Sequence, residues 1–158
     1  RWWSKLEILS QETIDFLKKN NGKKIVFTNG CFDILHLGHV EYLNEAKAQG
    51  DVLIIGLNSD DSVKRLKGPD RPVNNENDRL LMLLNLKAVD CVQIFNEDTP
   101  LEIIKMIKPN VLVKGGDWKP EQIVGSDFVL ASGGSVRSLL FKSGYSTSHL
   151  IKSVQGKK

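Results

Sequence analysis

Short apolar runs recur along the chain at 24–28, 51–57, 91–95, 110–114 and 135–141. They are rich in Val, Ile and Leu and too short for helices, which predicts buried strands. Between them lie stretches with helical spacing, at 10–20, 38–49, 58–65, 76–87, 100–107 and 146–154. Ser10 or Gln11 starts the first of these, and Gly50 closes the second as a C-terminal cap. In 76–87 the residues Leu80, Leu81, Leu83 and Leu84 supply an apolar face. Pro100 is expected near the first helical position of its helix. Gly115 and Gly116 are expected to stop the fourth strand, and 67–77 reads as a polar loop with Pro69 and Pro72. A short helix or strand is expected around 128–131.

Strands alternating with helices imply βαβ units and a parallel sheet covered on both faces. Right-handed crossovers then give a doubly wound, Rossmann-like α/β fold with five parallel strands. The 158 residues amount to one domain, 1–158, with a core at about 24–155 and an N-terminal helical arm at 1–22. In such sheets ligands bind at the carboxyl ends of strands, at a topological switch point.

Composition narrows the function classes. Apolar residues make up 41% and charged residues 26%, as in a globular protein. The net charge of +3 owes part of its excess to Lys157 and Lys158, so no nucleic-acid partner is indicated. A mildly basic site for a polyanion is consistent with it. Cys31 and Cys91 form neither a metal-type spacing nor a disulfide framework, which points to a reducing cytoplasm. No apolar run has membrane-spanning length, so no membrane partner is expected. The sequence is compatible with a homo-oligomer and does not fix the oligomeric state. No Gly-x-Gly-x-x-Gly or Walker-type Gly-Lys-Ser/Thr opens a helix, which argues against dinucleotide oxidoreductases and P-loop enzymes.

The chemistry concentrates where the first strand turns into a helix. Residues 28–39 read Thr-Asn-Gly-Cys-Phe-Asp-Ile-Leu-His-Leu-Gly-His. Gly38 lets a phosphate approach the backbone, and the new helix offers unpaired N–H groups and a positive dipole end. That is an anion site. His36 and His39 add donors whose charge varies near neutral pH. Three further segments follow strands or line a crossover. Lys114-Gly115-Gly116-Asp117-Trp118 allows a tight turn with exposed amides, and Trp118 either stacks on a base or sugar or covers the core. Gly144-Tyr145-Ser146-Thr147-Ser148 opens the last helix with hydroxyls that cap it or hold a phosphate. Lys64, Lys67, Arg71 and Arg79 form a basic series suited to phosphate oxygens. Each segment also has an ordinary structural explanation: a cap, a β-turn, a solvated charged face. Cys31, Asp33, His36 and His39 are metal-ligand types as well, but no partnering Cys or His cluster is evident, and no metal residues are assigned.

The first segment resembles the His-x-Gly-His signature of the nucleotidyltransferase superfamily. Arg71-Pro72-Val73-Asn74 with Arg79, Lys114 to Trp118, and Ser146-Thr147-Ser148 resemble further elements of it, the last with Ser148 in place of a final Thr. Together these segments resemble the heptose 1-phosphate adenylyltransferases of bacterial ADP-heptose synthesis. The resemblance implies transfer of AMP from ATP to D-glycero-β-D-manno-heptose 1-phosphate, releasing pyrophosphate, for lipopolysaccharide core. It implies Mg²⁺ arriving with ATP, and ATP and a sugar 1-phosphate as partners. His36, His39, Lys67 and Arg79 are then catalytic. Asn29, Gly30, Cys31, Phe32, Gly38, Lys114, Gly116, Asp117, Tyr145, Ser146, Thr147 and Ser148 bind nucleotide. Asp33, Lys64, Arg71 and Trp118 bind the acceptor; Asp33 orients a histidine or the substrate and is not the base. Related cytidylyltransferases carry an Arg where Phe141 stands, which favours adenine over cytosine. The rivals are a cytidylyltransferase acting on a polyol or alcohol phosphate, and a non-catalytic nucleotide-binding module. The ribokinase-like half of bifunctional members has no counterpart here, so sugar kinase activity is not expected.

Overall fold

The computed structural model describes residues 8–141 and 146–156. Five strands, β1 (Ile25–Gly30), β2 (Val52–Asn58), β3 (Cys91–Phe95), β4 (Val111–Gly115) and β5 (Ser135–Leu139), form one sheet in the order β3-β2-β1-β4-β5. Every pairing in it is parallel. The helices are α1 (Gln11–Lys19), α2 (Leu37–Lys47), α3 (Asp60–Lys67), α4 (Glu76–Leu84), α5 (Leu101–Ile107), α6 (Ser126–Ala131) and α7 (Thr147–Gln155). A 3₁₀ turn, Pro120–Gln122, lies between β4 and α6. The expected α/β architecture is therefore present, and residues 128–131 are helical.

Two buried clusters sandwich the sheet. Alternation along the strands assigns residues to them: Val26, Leu53, Ile55 and Leu57 pack with Tyr42, Leu43 and Ala46 of α2 and Leu83 of α4. Phe27, Ile54 and Leu112 pack with Ile103, Ile104 and Ile107 of α5 and Val129 of α6. The period of two along each strand separates the clusters, as a sheet covered on both faces requires. Helix α1 joins the second cluster through Ile14, Phe16 and Leu17. Its Ser10 caps it, the hydroxyl accepting the Thr13 amide at 3.2 Å.

Three expectations are corrected. Strands β1 and β4 run past their apolar cores, because Asn29 and Gly30 stay in register with Gly56 and Leu57, and Gly115 with Leu139. Gly115 therefore belongs to the strand and does not stop it. Pro100 is the N-cap of α5 and not its first residue. The inward row of α4 is Arg79 and Leu83, one helical turn apart, with Leu80 packed half-buried on the same cluster as expected, whereas Leu81 and Leu84 are exposed. The helix is turned that way by the hydrogen bonds of Arg79 described below.

In chain order the strands grow outward from β1 through β2 to β3, and then return to the other side of β1 as β4 and β5. The reversal puts the switch point between β1 and β4. The segments after those two strands hold the histidine motif and Lys114 to Trp118.

Candidate active site

A cavity of about 570 Å³ opens at the carboxyl ends of the strands, within the usual size of a small-molecule site. Its wall includes Asn29, Gly30, Cys31 and Phe32 from the end of β1 and the loop that follows. Phe32 adopts a left-handed backbone conformation with φ 45°, uncommon outside glycine. A Cβ at Gly30 would approach its ring to 2.9 Å, so the glycine makes room for it. The Cys31 thiol is pushed up by burial, which outweighs Lys67, Arg79 and Arg71, so it stays protonated and is not a nucleophile.

His36 is the N-cap of α2 and His39 sits in its first turn. Their rings stack with centroids 3.8 Å apart. The backbone N–H of His36 donates to His39 Nδ1 at 3.3 Å. A neutral imidazole that accepts at Nδ1 carries its proton at Nε2. Burial lowers His36, and burial together with His36 lowers His39 to about 4. Both rings are thus neutral at pH 7, with a positive helix end beside them. An incoming polyanion would favour their charged forms. Gly38 is buried in the same turn and is not part of the cavity wall.

Asp33 lies in the wall, but its carboxylate is committed. It accepts the Arg71 Nε at 2.9 Å and the backbone amides of Val73 and Asn74, while its own carbonyl accepts Asn74 Nδ2 at 2.9 Å. Burial would raise this carboxyl; the Asn74 and Val73 amides and the Arg71 guanidinium outweigh burial and hold it below the usual range. In this arrangement Asp33 clamps the 71–74 loop to the loop after β1. Arg71, held by that clamp, lines the cavity together with Lys67.

Arg79, expected among the catalytic residues, lies in the interior. It is 1% exposed and lies outside the cavity wall. Its Nε donates to the Asn74 carbonyl, Nη1 to the carbonyls of Cys31 and Asn58, and Nη2 to Asp60 Oδ1. These four hydrogen bonds tie the guanidinium to the chain. Lys64 is exposed on α3 and also lies outside the wall, as do Gly116 and Asp117. Gly116, at φ 114°, serves the turn: a Cβ would come within 2.6 Å of the Trp118 indole nitrogen.

On the β4 and β5 side, Lys114 and Trp118 face the cavity, with Lys114 Nζ 5.2 Å from the Trp118 ring centroid. The indole N–H donates to the Gly115 carbonyl at 2.9 Å. Ser146, Thr147 and Ser148 also line the cavity. Ser146 caps α7 by accepting the His149 amide at 3.0 Å. The Thr147 hydroxyl donates to the Ile34 carbonyl at 2.9 Å, so its one proton ties α7 to the loop after β1. Ser148 is exposed at the cavity. Tyr145 lies outside the described residues.

The wall also contains Phe141, already singled out in the sequence, and residues that belong to no motif. Tyr42 packs its ring 5.1 Å from Phe141, and its hydroxyl pairs with Thr28 at 2.7 Å. Phe141 crosses Gly115, where any Cβ would run into its ring. Asn58, Asp98 and Thr99 line the far side. They lie at or after the ends of β2 and β3, where the strand-end rule directs attention. Among the described residues, no three His, Cys, Asp or Glu side chains converge as a metal cage.

The cytidylyltransferase-like family profile matches residues 27–152. The bifunctional protein HldE of Wolinella succinogenes is 54% identical over 156 residues, covering 97% of this chain and 32% of that protein. HldE of Campylobacter jejuni subsp. jejuni serotype O:2 is 55% identical over 152 residues, covering 96% and 32%. The chain spans about a third of the length of these curated relatives. The crystal structure of the lipopolysaccharide core biosynthesis protein from Thermoplasma volcanium GSS1 matches with a TM-score of 0.63 at 30% identity, covering 77% of this chain and 98% of that one. Pantoate-β-alanine ligase from Francisella tularensis matches with a TM-score of 0.52 at 15% identity, covering 90% and 74%, a likeness of fold.

Proposed function

The chain belongs to the cytidylyltransferase-like family, and on that premise we propose that it is an adenylyltransferase of ADP-heptose synthesis. It transfers AMP from ATP to D-glycero-β-D-manno-heptose 1-phosphate and releases pyrophosphate. The observation that carries this reading is the stacked His36–His39 pair at the β1/β4 switch point, with Lys67 and Arg71 in the same cavity. The HldE relatives and the lipopolysaccharide core protein support the choice of acceptor.

The sugar phosphate oxygen attacks the α-phosphorus and pyrophosphate leaves in line. No residue becomes covalently attached, so catalysis consists of positioning and stabilisation of charge. His39 donates from Nε2, and the first amides of α2 add donors beside it. Lys67 and Arg71 neutralise triphosphate or sugar-phosphate oxygens as point charge and fork respectively. Ser148 donates from the start of α7. Mg²⁺ is expected to arrive on ATP, held by phosphate oxygens and water, and supplies further neutralisation. The cavity residues suit a cation carried by its substrate, since Asp33 is already committed, Asp98 pairs with Arg65 and no three ligand-type side chains converge among the described residues.

Phe141 supports ATP over CTP. It presents a ring where a base would stack, and no guanidinium for a cytosine carbonyl. A cytoplasmic setting belongs to the same reading. No helix among the described residues is long and apolar enough to cross a membrane. The test is a nucleotide panel with heptose 1-phosphate, read as pyrophosphate release. ATP should be turned over far faster than CTP; equal or greater turnover with CTP overturns the adenylyl assignment.

A further inference from the structure

The cavity wall is chemically divided along the order of the strands. The aromatic groups Phe141 and Trp118 follow β5 and β4. The histidine pair follows β1 in the middle of the sheet. On the opposite side, at and after the ends of β2 and β3, the wall includes Asn58, Asp98 and Thr99, with Lys67 at the end of the helix that follows β2. Asp33 and Asp98 are the carboxylates of the wall, and Asp33 is spent on Arg71, Val73 and Asn74. Asp98 pairs with Arg65 through Oδ1 and stays exposed, so Oδ2 remains an acceptor at the edge of a cavity whose other charged side chains include Lys67, Arg71 and Lys114. Such a group repels phosphate and suits a neutral ligand rich in hydroxyl donors.

The surroundings fix these groups. Arg65 Nε donates to Asp98 Oδ1 at 3.0 Å, and another Arg65 nitrogen donates to the Asn96 carbonyl. Asn58 Nδ2 donates to Ser62 Oγ at 3.0 Å, and Ser62 Oγ donates to the Glu97 carbonyl at 3.2 Å. One Nδ2 hydrogen of Asn58 is used on Ser62, and its amide oxygen is left as an acceptor for the cavity. The β2–β3 register places Asn58 beside Phe95, close to the segment that carries Asp98 and Thr99.

We propose that Asp98, Thr99 and Asn58 form the subsite that recognises the hydroxyls of the sugar, on the side of the phosphates opposite the base. This rests on the sugar-phosphate reading above. Asp98 and Asn58 accept hydrogen bonds from ring or side-chain hydroxyls, and Thr99 donates or accepts. They are specificity determinants and take no part in the bond making at phosphorus.

The test uses the full chain with saturating ATP and compares heptose 1-phosphate with an analogue lacking one hydroxyl. Asp98→Asn and Thr99→Val are both measured, each with a melting temperature. Asp98 is exposed, so the variants should melt as the parent does. Loss of a hydrogen bond to a charged group should raise KM for the sugar phosphate about 10-fold or more. KM for ATP should stay within about two-fold. In Asp98→Asn the penalty for the deoxy analogue should shrink, because the charged acceptor has become a neutral and weaker one. An unchanged KM for the sugar phosphate in both variants, with the parent active, overturns this subsite alone. A raised Mg²⁺ requirement with an unchanged sugar KM overturns it in favour of a cation site. A parent inactive with every sugar 1-phosphate overturns the function and the subsite together.

Discussion

His39 is neutral at pH 7, and its charge is free to respond when a triphosphate arrives. Its folded value is about 4 against an ordinary 6.5. Binding a polyanion raises it, so ATP should bind with proton uptake that grows as pH falls from 7 toward 6. Calorimetry in buffers of different ionisation enthalpy reads this directly; uptake that persists unchanged in His39→Ala would assign the proton elsewhere. The same shift has a sign for stability. Between about 6.5 and about 4 the unfolded chain takes a proton at this position and the folded chain does not. The His39 contribution is therefore present above pH 6.5 and lost as pH falls through that window. In His39→Ala the melting temperature should decline less steeply over it. Kinetically, His39→Ala should lower kcat by about 10²-fold or more and change KM for ATP less, as removal of a transition-state donor does. Arg79 contrasts with it. Arg79→Ala strands the carbonyls of Cys31, Asn58 and Asn74 and leaves Asp60 unpaired, so it should cost ~3–5 kcal/mol of stability. Lys67→Ala, at an exposed cavity residue, should leave urea unfolding unchanged and impair turnover. Equal stability losses for the two would refute the division of roles.

At the scale of elements, helix α7 carries two separable functions. Ser146→Ala removes the cap and should cost about 0.5–2 kcal/mol with little effect on ATP kinetics. Ser148→Ala should do the reverse, weakening ATP without lowering the melting temperature. Thermal melts and steady-state kinetics on both variants check this; swapped phenotypes would make Ser146 the phosphate donor. Thr147 was expected to act on phosphate, but its proton goes to Ile34, 113 positions earlier. No local pattern announces a partner that far away. The same reason hid the role of Asp33, whose partners lie about the 71–74 loop, and the rotation of α4. Reading that helix by its leucines put Leu81 and Leu84 inward. The buried row is Arg79 and Leu83, with the guanidinium reaching the carbonyls of Asn74, Cys31 and Asn58.

Across the whole molecule, what depends on period and strand-end chemistry was legible in the sequence. Five short apolar runs became five parallel strands, and β3 has the bounds its pattern suggested. His36, His39, Lys67, Arg71 and Lys114 share one cavity with the residues after β1, as the strand-end rule anticipates. Legibility ended where a side chain's role depends on the folded partner: Tyr42, Asn58, Asp98 and Thr99 carry no motif of their own. The central claim is that this cavity joins the α-phosphorus of ATP to a sugar phosphate. It is tested most directly by parallel reactions of the chain with heptose 1-phosphate and ATP labelled at either the α- or the γ-phosphorus. The account predicts α-label in a sugar nucleotide and γ-label in pyrophosphate. Label in ADP and inorganic phosphate, or γ-label on the sugar, would contradict it.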